Sequence, residues 1–117
     1  FKITKVNIFR NGSWKLLEAA RVSDNDFSYE NLLAWEWRLE NELRIVVVNY
    51  SNSTSRCRLK FDLRSTGDEV VLSDILNNTV YKRSLKEISE KGLFVELKSF
   101  NSHIFAFNEA KSQQILH

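Results

Sequence analysis

The sequence predicts an all-β fold, a sandwich or barrel of antiparallel strands, with at most a short helix near residues 84–91. Three observations carry this expectation. Clusters rich in Asn, Asp and Ser recur roughly every 10–15 residues, the turn rhythm of all-β domains. The segments between them mostly alternate apolar and polar side chains with period 2. The one stretch with helical spacing is confined to a turn or two. The clusters are Asn11-Gly12-Ser13, Ser23-Asp24-Asn25-Asp26, Ser51-Asn52-Ser53-Thr54, Ser65-Thr66-Gly67-Asp68, Asn77-Asn78 and Asn101-Ser102. With no proline and only three glycines in the chain, its turns rely on side chains that hydrogen-bond their own backbone.

At 117 residues, 43% hydrophobic and 27% charged, the chain has the size and mix of one globular domain. Its eight Phe, three Tyr and three Trp can each bury about 150–250 Å², enough for a core without disulfide or metal staples. The single cysteine, Cys57, excludes an intrachain disulfide and any zinc site built on cysteine pairs. A net charge of +2 is too weak to draw nucleic acid or a membrane surface. No apolar run approaches the ~18 residues of a membrane span. The lone cysteine and the lack of an apolar leader in this segment favour a cytoplasmic location.

Taken in order, Phe1 to Phe9 carries apolar Ile3, Val6, Ile8 and Phe9 and is compatible with a helix end or a strand. A chain opening on Phe1 reads as a segment of something longer. Leu33, Trp35, Trp37 and Leu39 alternate with Glu36, Arg38 and Glu40, which reads as a core stripe with an ion-paired face in water. The connection Glu40-Asn41-Glu42 suits a hairpin into Leu43–Tyr50. That run is β-branched and apolar in its middle, the signature of a central strand covered on both faces. Ser51 to Ser55 suits a second hairpin into 56–63, with Cys57, Leu59, Phe61 and Leu63 inward. Glu69–Ser73 turns through Asn77-Asn78, two residues tolerant of positive φ, into Thr79–Lys82. In Ser84–Gly92, Leu85 and Ile88 share a helix face between a capping Ser and a terminating Gly. Leu93–Lys98 and His103–Phe107 form a last pair around Ser99–Ser102, and Glu109–His117 reads as a frayed tail.

Chemistry-bearing residues are sparse. His103 and His117 lack the ligand spacing that a metal requires, and Cys57 reads as a small buried hydrophobe. Three scattered glycines cannot build a phosphate-binding loop. Among the carboxylates Glu36, Asp68, Glu69, Asp74, Glu87 and Glu90, no catalytic pair converges. The expectation is therefore no catalytic, cofactor-binding or metal-binding residue. Trp14, which follows a turn, and Trp37 are the candidate carbohydrate contacts, because indole rings stack on the apolar faces of sugar rings; for Trp35 and Trp37 the period-2 pattern favours core packing. Four Asn-x-Ser/Thr sequons, at Asn11, Asn49, Asn52 and Asn77, follow from the Asn- and Ser-built turns.

Five segments in order resemble the domain that follows the catalytic barrel in the α-amylase family. They are Gly12-Ser13-Trp14-Lys15-Leu16-Leu17, Leu33-Ala34-Trp35-Glu36-Trp37-Arg38, Leu43 to Ser51, Leu72 to Tyr81, and Gly92-Leu93-Phe94-Val95-Glu96-Leu97 leading to His103-Ile104-Phe105. The resemblance implies an antiparallel Greek-key β-sandwich of about eight strands over residues 10–108, packed against a (β/α)8 barrel. Residues 1–9 would then be a remnant or exit of that barrel, and 109–117 a tail. The family's catalytic Asp and Glu belong to the barrel, so none is carried over to this chain. The resemblance implies a non-catalytic accessory domain whose partner is the barrel of its own parent chain; the alternative is a module that binds α-glucan through exposed aromatics. If the domain covers the barrel, it should expose one apolar patch, from Phe1, Ile3, Phe9 or the outer side of the Trp14 strand. The family often turns with a proline before the last strand, where this chain has Ser99-Phe100-Asn101.

Overall fold

In the computed structural model, residues 13–40, 42–63 and 67–108 are described, and they form an antiparallel β-sandwich. The strands are β1 (Ser13–Leu17), β2 (Ala19–Ala20), β3 (Leu32–Leu39), β4 (Glu42–Asn49), β5 (Ser55–Leu59), β6 (Glu69–Asp74), β7 (Thr79–Ser84), β8 (Leu93–Leu97) and β9 (Ser102–Asn108). A 3-10 turn at Ser28–Asn31 precedes β3, and one helix, α1 (Leu85–Lys91), joins β7 to β8. The larger sheet has the order β1-β3-β4-β9-β6-β7 and the smaller β2-β5-β8. The expectations for residues 1–9 and 109–117, including an apolar contribution from Phe1, Ile3 or Phe9, lie outside the described residues.

The core lies between the two sheets. Leu43, Ile45 and Val47 of β4, Leu72 of β6 and Phe105 and Phe107 of β9 meet Cys57 and Leu59 of β5 and Leu93, Val95 and Leu97 of β8. Phe61, beyond β5, packs tilted on Phe107 of the large sheet at a centroid distance of 5.6 Å, and within the large sheet Tyr81 meets Phe105 edge-on at 6.1 Å. As expected, β4 is a central strand, paired on both sides by β3 and β9. The β6–β7 hairpin forms through Asn77-Asn78, with Asn78 at φ 56°. The helix is also where the sequence puts it. The Ser84 hydroxyl accepts the Glu87 N–H at 3.2 Å, and Gly92 ends the helix at φ 90°. A Cβ on Gly92 would lie 2.9 Å from the Leu59 carbonyl oxygen, so glycine is required both by conformation and by space.

Three expectations are corrected. First, 56–63 is not one strand: β5 ends at Leu59, and Phe61 and Leu63 pack on the core from irregular backbone. Second, neither β4–β5 nor β8–β9 is a hairpin. Each connection crosses from one sheet to the other, so β5 pairs with β8 and β9 enters the large sheet between β4 and β6. The two crossings lie side by side, held by Asn49, whose side chain is fully buried. Its amide donates to the carbonyls of Ser53, Leu97 and Lys98 at 2.7, 3.0 and 3.2 Å and accepts from the Ser51 N–H and hydroxyl. In place of a proline turn, residues 98–101 close through the Asn101 N–H to the Lys98 carbonyl, with Phe100 at φ 56°.

The third correction concerns β3. Leu33, Trp35, Trp37 and Leu39 do share a face, but it is the outer one; Leu32 and Ala34 enter the core instead. The cause is one residue of loop. The strands pair Leu39 with Glu42, Trp37 with Arg44 and Trp35 with Val46, so two residues and not three separate them. A three-residue loop would set Trp37 opposite Ile45, and a one-residue change of register moves every side chain to the other face. Glu36 and Arg38 accordingly face inward rather than into water. Glu36 is buried, and its carboxylate lies 3.5 Å from Arg38 Nε, while the Arg38 guanidinium donates to the Asp62 carbonyl.

Candidate functional site

The register that turns the tryptophans outward also gathers them. On the edge strand β1, Trp14 lies opposite Trp37 and Leu16 opposite Trp35, while Leu33 is set across from Val48 of β4. Residues directly opposite in antiparallel strands stand on one face, so Trp14, Leu16, Leu33, Trp35 and Trp37 form a contiguous shallow depression with wholly apolar walls. The Trp14 and Trp37 rings sit 6.4 Å apart and are tilted by 46°. Trp14 is 57% exposed, Leu16 58% and Leu33 45%. The apolar face continues onto Val46 and Ile104, which are buried but stand outside the core between the sheets, and Val71 and Val80 add exposed side chains on β6 and β7.

A contiguous apolar patch on a soluble domain marks an interaction surface, because it leaves hydrocarbon in water that a partner could cover. The patch expected from the outer side of the Trp14 strand is thus present. At its margin stands Arg44, with a largely buried side chain. It donates to the Leu43 carbonyl and lies 3.3 Å from the Glu42 carboxylate. Among the described residues its Nε has no hydrogen-bond partner, and burial pushes the guanidinium below its ordinary value.

The other chemistry-bearing residues are dispersed. Cys57 is fully buried, and burial pushes its thiol up to about 12, so it packs as a hydrophobe as expected. The Glu87 carboxylate pairs with Arg58 at 2.8 Å on the surface, and Asp68, Glu69 and Glu90 are exposed singly. Among the described residues no group of three or more His, Cys, Asp or Glu side chains could hold a metal, and no helix is long and apolar enough to cross a membrane. The sequon residue Asn49 is inaccessible in the folded domain.

One polar cluster escaped the reading of the sequence. Asp74, at the end of β6, is 1% exposed. Its carboxylate accepts His103 Nδ1, the Asn77 amide at 2.5 Å, and the backbone N–H groups of Leu76 and Ile104. Burial raises its pKa, but the hydrogen bonds from Asn77, His103 and Ile104 outweigh burial and hold it below the ordinary carboxylate value. The pair is 29 residues apart, so no motif spacing signals it; the β6–β9 pairing of Asp74 with Phe105 creates it.

No protein-family model matches the chain, and no curated protein matches its sequence. Solved structures do match its fold. A noncanonic maltogenic α-amylase from Thermotoga neapolitana superposes with a TM-score of 0.66 at 16% identity, over 89% of this chain and 22% of that one. An α-amylase from Geobacillus thermoleovorans, solved with acarbose, gives 0.64 at 15% identity, over 92% of this chain and 20% of that one. An Anoxybacillus α-amylase gives 0.59 at 15% identity, with the same two coverages. The chain therefore has the fold of one part of these enzymes and spans about a fifth of their length.

Proposed function

We propose that this chain is the C-terminal accessory domain of an α-amylase-family glycosidase or transglycosidase, a non-catalytic module of α-glucan metabolism that covers and stabilises the (β/α)8 barrel of its parent chain. The aromatic outer face of the large sheet carries this reading: five apolar side chains, three of them markedly exposed, with no polar group in their midst. The likeness of the fold to a fifth of several α-amylases supports it. In this account residues 1–9 lead out of the barrel, 10–108 form the sandwich and 109–117 are a tail. Burying the Trp14–Trp37 face would be part of an inter-domain contact of roughly 600–1,500 Å². Trp14, Leu16 and Leu33 are already about half buried, so covering each contributes roughly half of the 1.5–3 kcal/mol of full burial.

The test is a double substitution, Trp14→Lys with Leu33→Lys. Both side chains are exposed, so the isolated chain should lose no more than about 1 kcal/mol. Joined to its barrel, the same variant should lower the barrel's thermal midpoint and open it to proteolysis. An unchanged barrel would refute the docking role. The alternative, a platform for α-glucan, draws on the exposure of Trp14; its ring lies 46° from that of Trp37, which is a poor match to two coplanar stacking surfaces. Titrating maltooligosaccharides against tryptophan fluorescence separates the two: a saturable change at millimolar sugar supports the platform, and its lack leaves docking alone.

A further inference from the structure

We propose that the seam between β7 and β8 binds an extended segment of another protein, one with an aromatic and an acidic residue two positions apart, as a fourth strand of the small sheet. Among the described residues the large sheet has six strands and the small sheet three, so the layers are unequal. Tyr81 pairs with the core residue Leu72, which puts Thr79, Tyr81 and Arg83 on the inner face of β7. Thr79 and Arg83 are nevertheless exposed, and Tyr81 is only partly buried. The inner face of this strand meets water because, among the described residues, no strand of the small sheet lies over it.

The free edge of β8 offers the means of covering it. β8 pairs with β5 on one side only, and among the described residues no backbone group of Phe94, Val95 or Glu96 bonds outside that pairing. Such an edge is a template for a further strand. A strand added there lies over β7, above a half-enclosed cavity of about 150 Å³ with Leu72, Tyr81, Phe94 and Phe105 among its walls. An apolar cavity of about that volume accommodates one benzene ring, the side chain of a Phe. Inward-facing residues of a strand recur roughly every 6.4–6.8 Å, which is also the spacing of Tyr81 and Arg83. With the ring in the cavity beside Tyr81, the inward residue two positions away meets Arg83.

Charge complementarity makes that residue acidic. Arg83 lies 5.0 Å over the Tyr81 ring and donates one N–H to the Lys82 carbonyl. The carboxylate in whose field it stands, Glu87, is bonded to Arg58 at 2.8 Å, and Glu96 at the rim of the cavity is engaged by Arg56 at 2.8 Å. A second copy of the chain does not fit: pairing β8 with β8 about a two-fold axis would bring both uncovered β7 strands into the same space. The tryptophan face begins at β1, the opposite edge of the large sheet from β7, so the seam is separate from the surface assigned to the barrel.

The test is an NMR titration of the 117-residue chain with a capped, threonine-rich peptide. It carries a central Phe and a Glu two residues to either side, so that both strand directions present a carboxylate to Arg83. Saturable amide shifts are expected along β7 and β8, with slowed exchange of β8 amide protons. Replacing the peptide's Phe by Ala should weaken binding about tenfold or more, because the cavity is left unfilled. Replacing its Glu residues by Lys should weaken binding roughly fivefold, and Arg83→Glu, at an exposed position on an edge strand, should reverse that preference. No saturation, shifts confined to the tryptophan face, equal binding of the Ala peptide, or a charge preference untouched by Arg83→Glu would overturn the proposal. Shifts along β8 that grow with protein concentration in the absence of peptide would also overturn it, by assigning the edge to a second copy. None of these outcomes bears on the docking of the tryptophan face.

Discussion

Replacing Asn49 by Asp is expected to remove a large share of the folding free energy of the domain. The Asn49 amide bonds to both sheet-crossing connections, and it is fully buried. Three carbonyls point at its nitrogen and two Ser51 donors at its oxygen. A carboxylate keeps the Ser51 bonds but turns a donor into an acceptor facing three carbonyl dipoles, with a charge that has no partner there. Leaving buried polar groups unsatisfied costs about 1–3 kcal/mol each, and more for a charge. A total of about 3–5 kcal/mol is large against the ~5–15 kcal/mol stability of a typical domain. In urea the midpoint should fall steeply with the slope unchanged. Asn49→Ala, which removes the bonds without adding charge, should cost less. Equal stability of Asn49→Asp and the native chain would mean that the crossings are held by something else.

The second large effect is at Asp74, and it depends on pH. Four donors converge on a carboxylate that is almost wholly buried. Asp74→Ala strands them, including the buried Ile104 N–H, and should cost about 2–4 kcal/mol at neutral pH. Because the folded carboxyl titrates below its ordinary value of 3.8, the native state binds the proton more weakly than the unfolded chain does. The stabilisation is therefore fully present above about pH 4, near the unfolded value, and is lost as pH falls through the lower folded one. Denaturation followed by circular dichroism between pH 7 and 2 should show the native chain approaching Asp74→Asn in stability as the acid limit is reached. A constant gap between them at all pH values would remove Asp74 as an acid-sensitive link between β6 and β9.

Much of the fold was legible because local chemistry and global packing agree. The apolar β4 run, the Asn77-Asn78 turn and the Ser84 cap each specify one local geometry, and the tertiary structure uses it. What was not legible turned on small integers. A hairpin loop of two residues instead of three inverts β3, and the paired register across it holds the signal that would have shown this: Glu42 and Arg44 fall opposite Leu39 and Trp37, so the tryptophan stripe shares a face with charge. Connections of four or five residues fit a hairpin or a crossing at the end of a sandwich equally well. At the crossings the buried Asn49 side chain bonds to residues 48 and 49 positions away, contacts that no local pattern signals. For the same reason the Asp74–His103 pair and the cavity beside it exist only once β9 is laid between β4 and β6. Trp14 and Trp37, singled out as aromatic contacts, are brought together by the structure as neighbours on the outer face.

Hydroxyl-radical footprinting measures directly whether the proposed catalytic barrel covers the tryptophan-bearing face. Oxidation of Trp14, Trp35 and Trp37 would be compared by mass spectrometry in the isolated chain and in the same chain joined to its barrel. Rapid oxidation of Trp14 in the isolated chain and strong protection of all three in the joined protein is the predicted result. Equal oxidation in both would contradict it, leaving the outer face of the large sheet without the partner assigned to it.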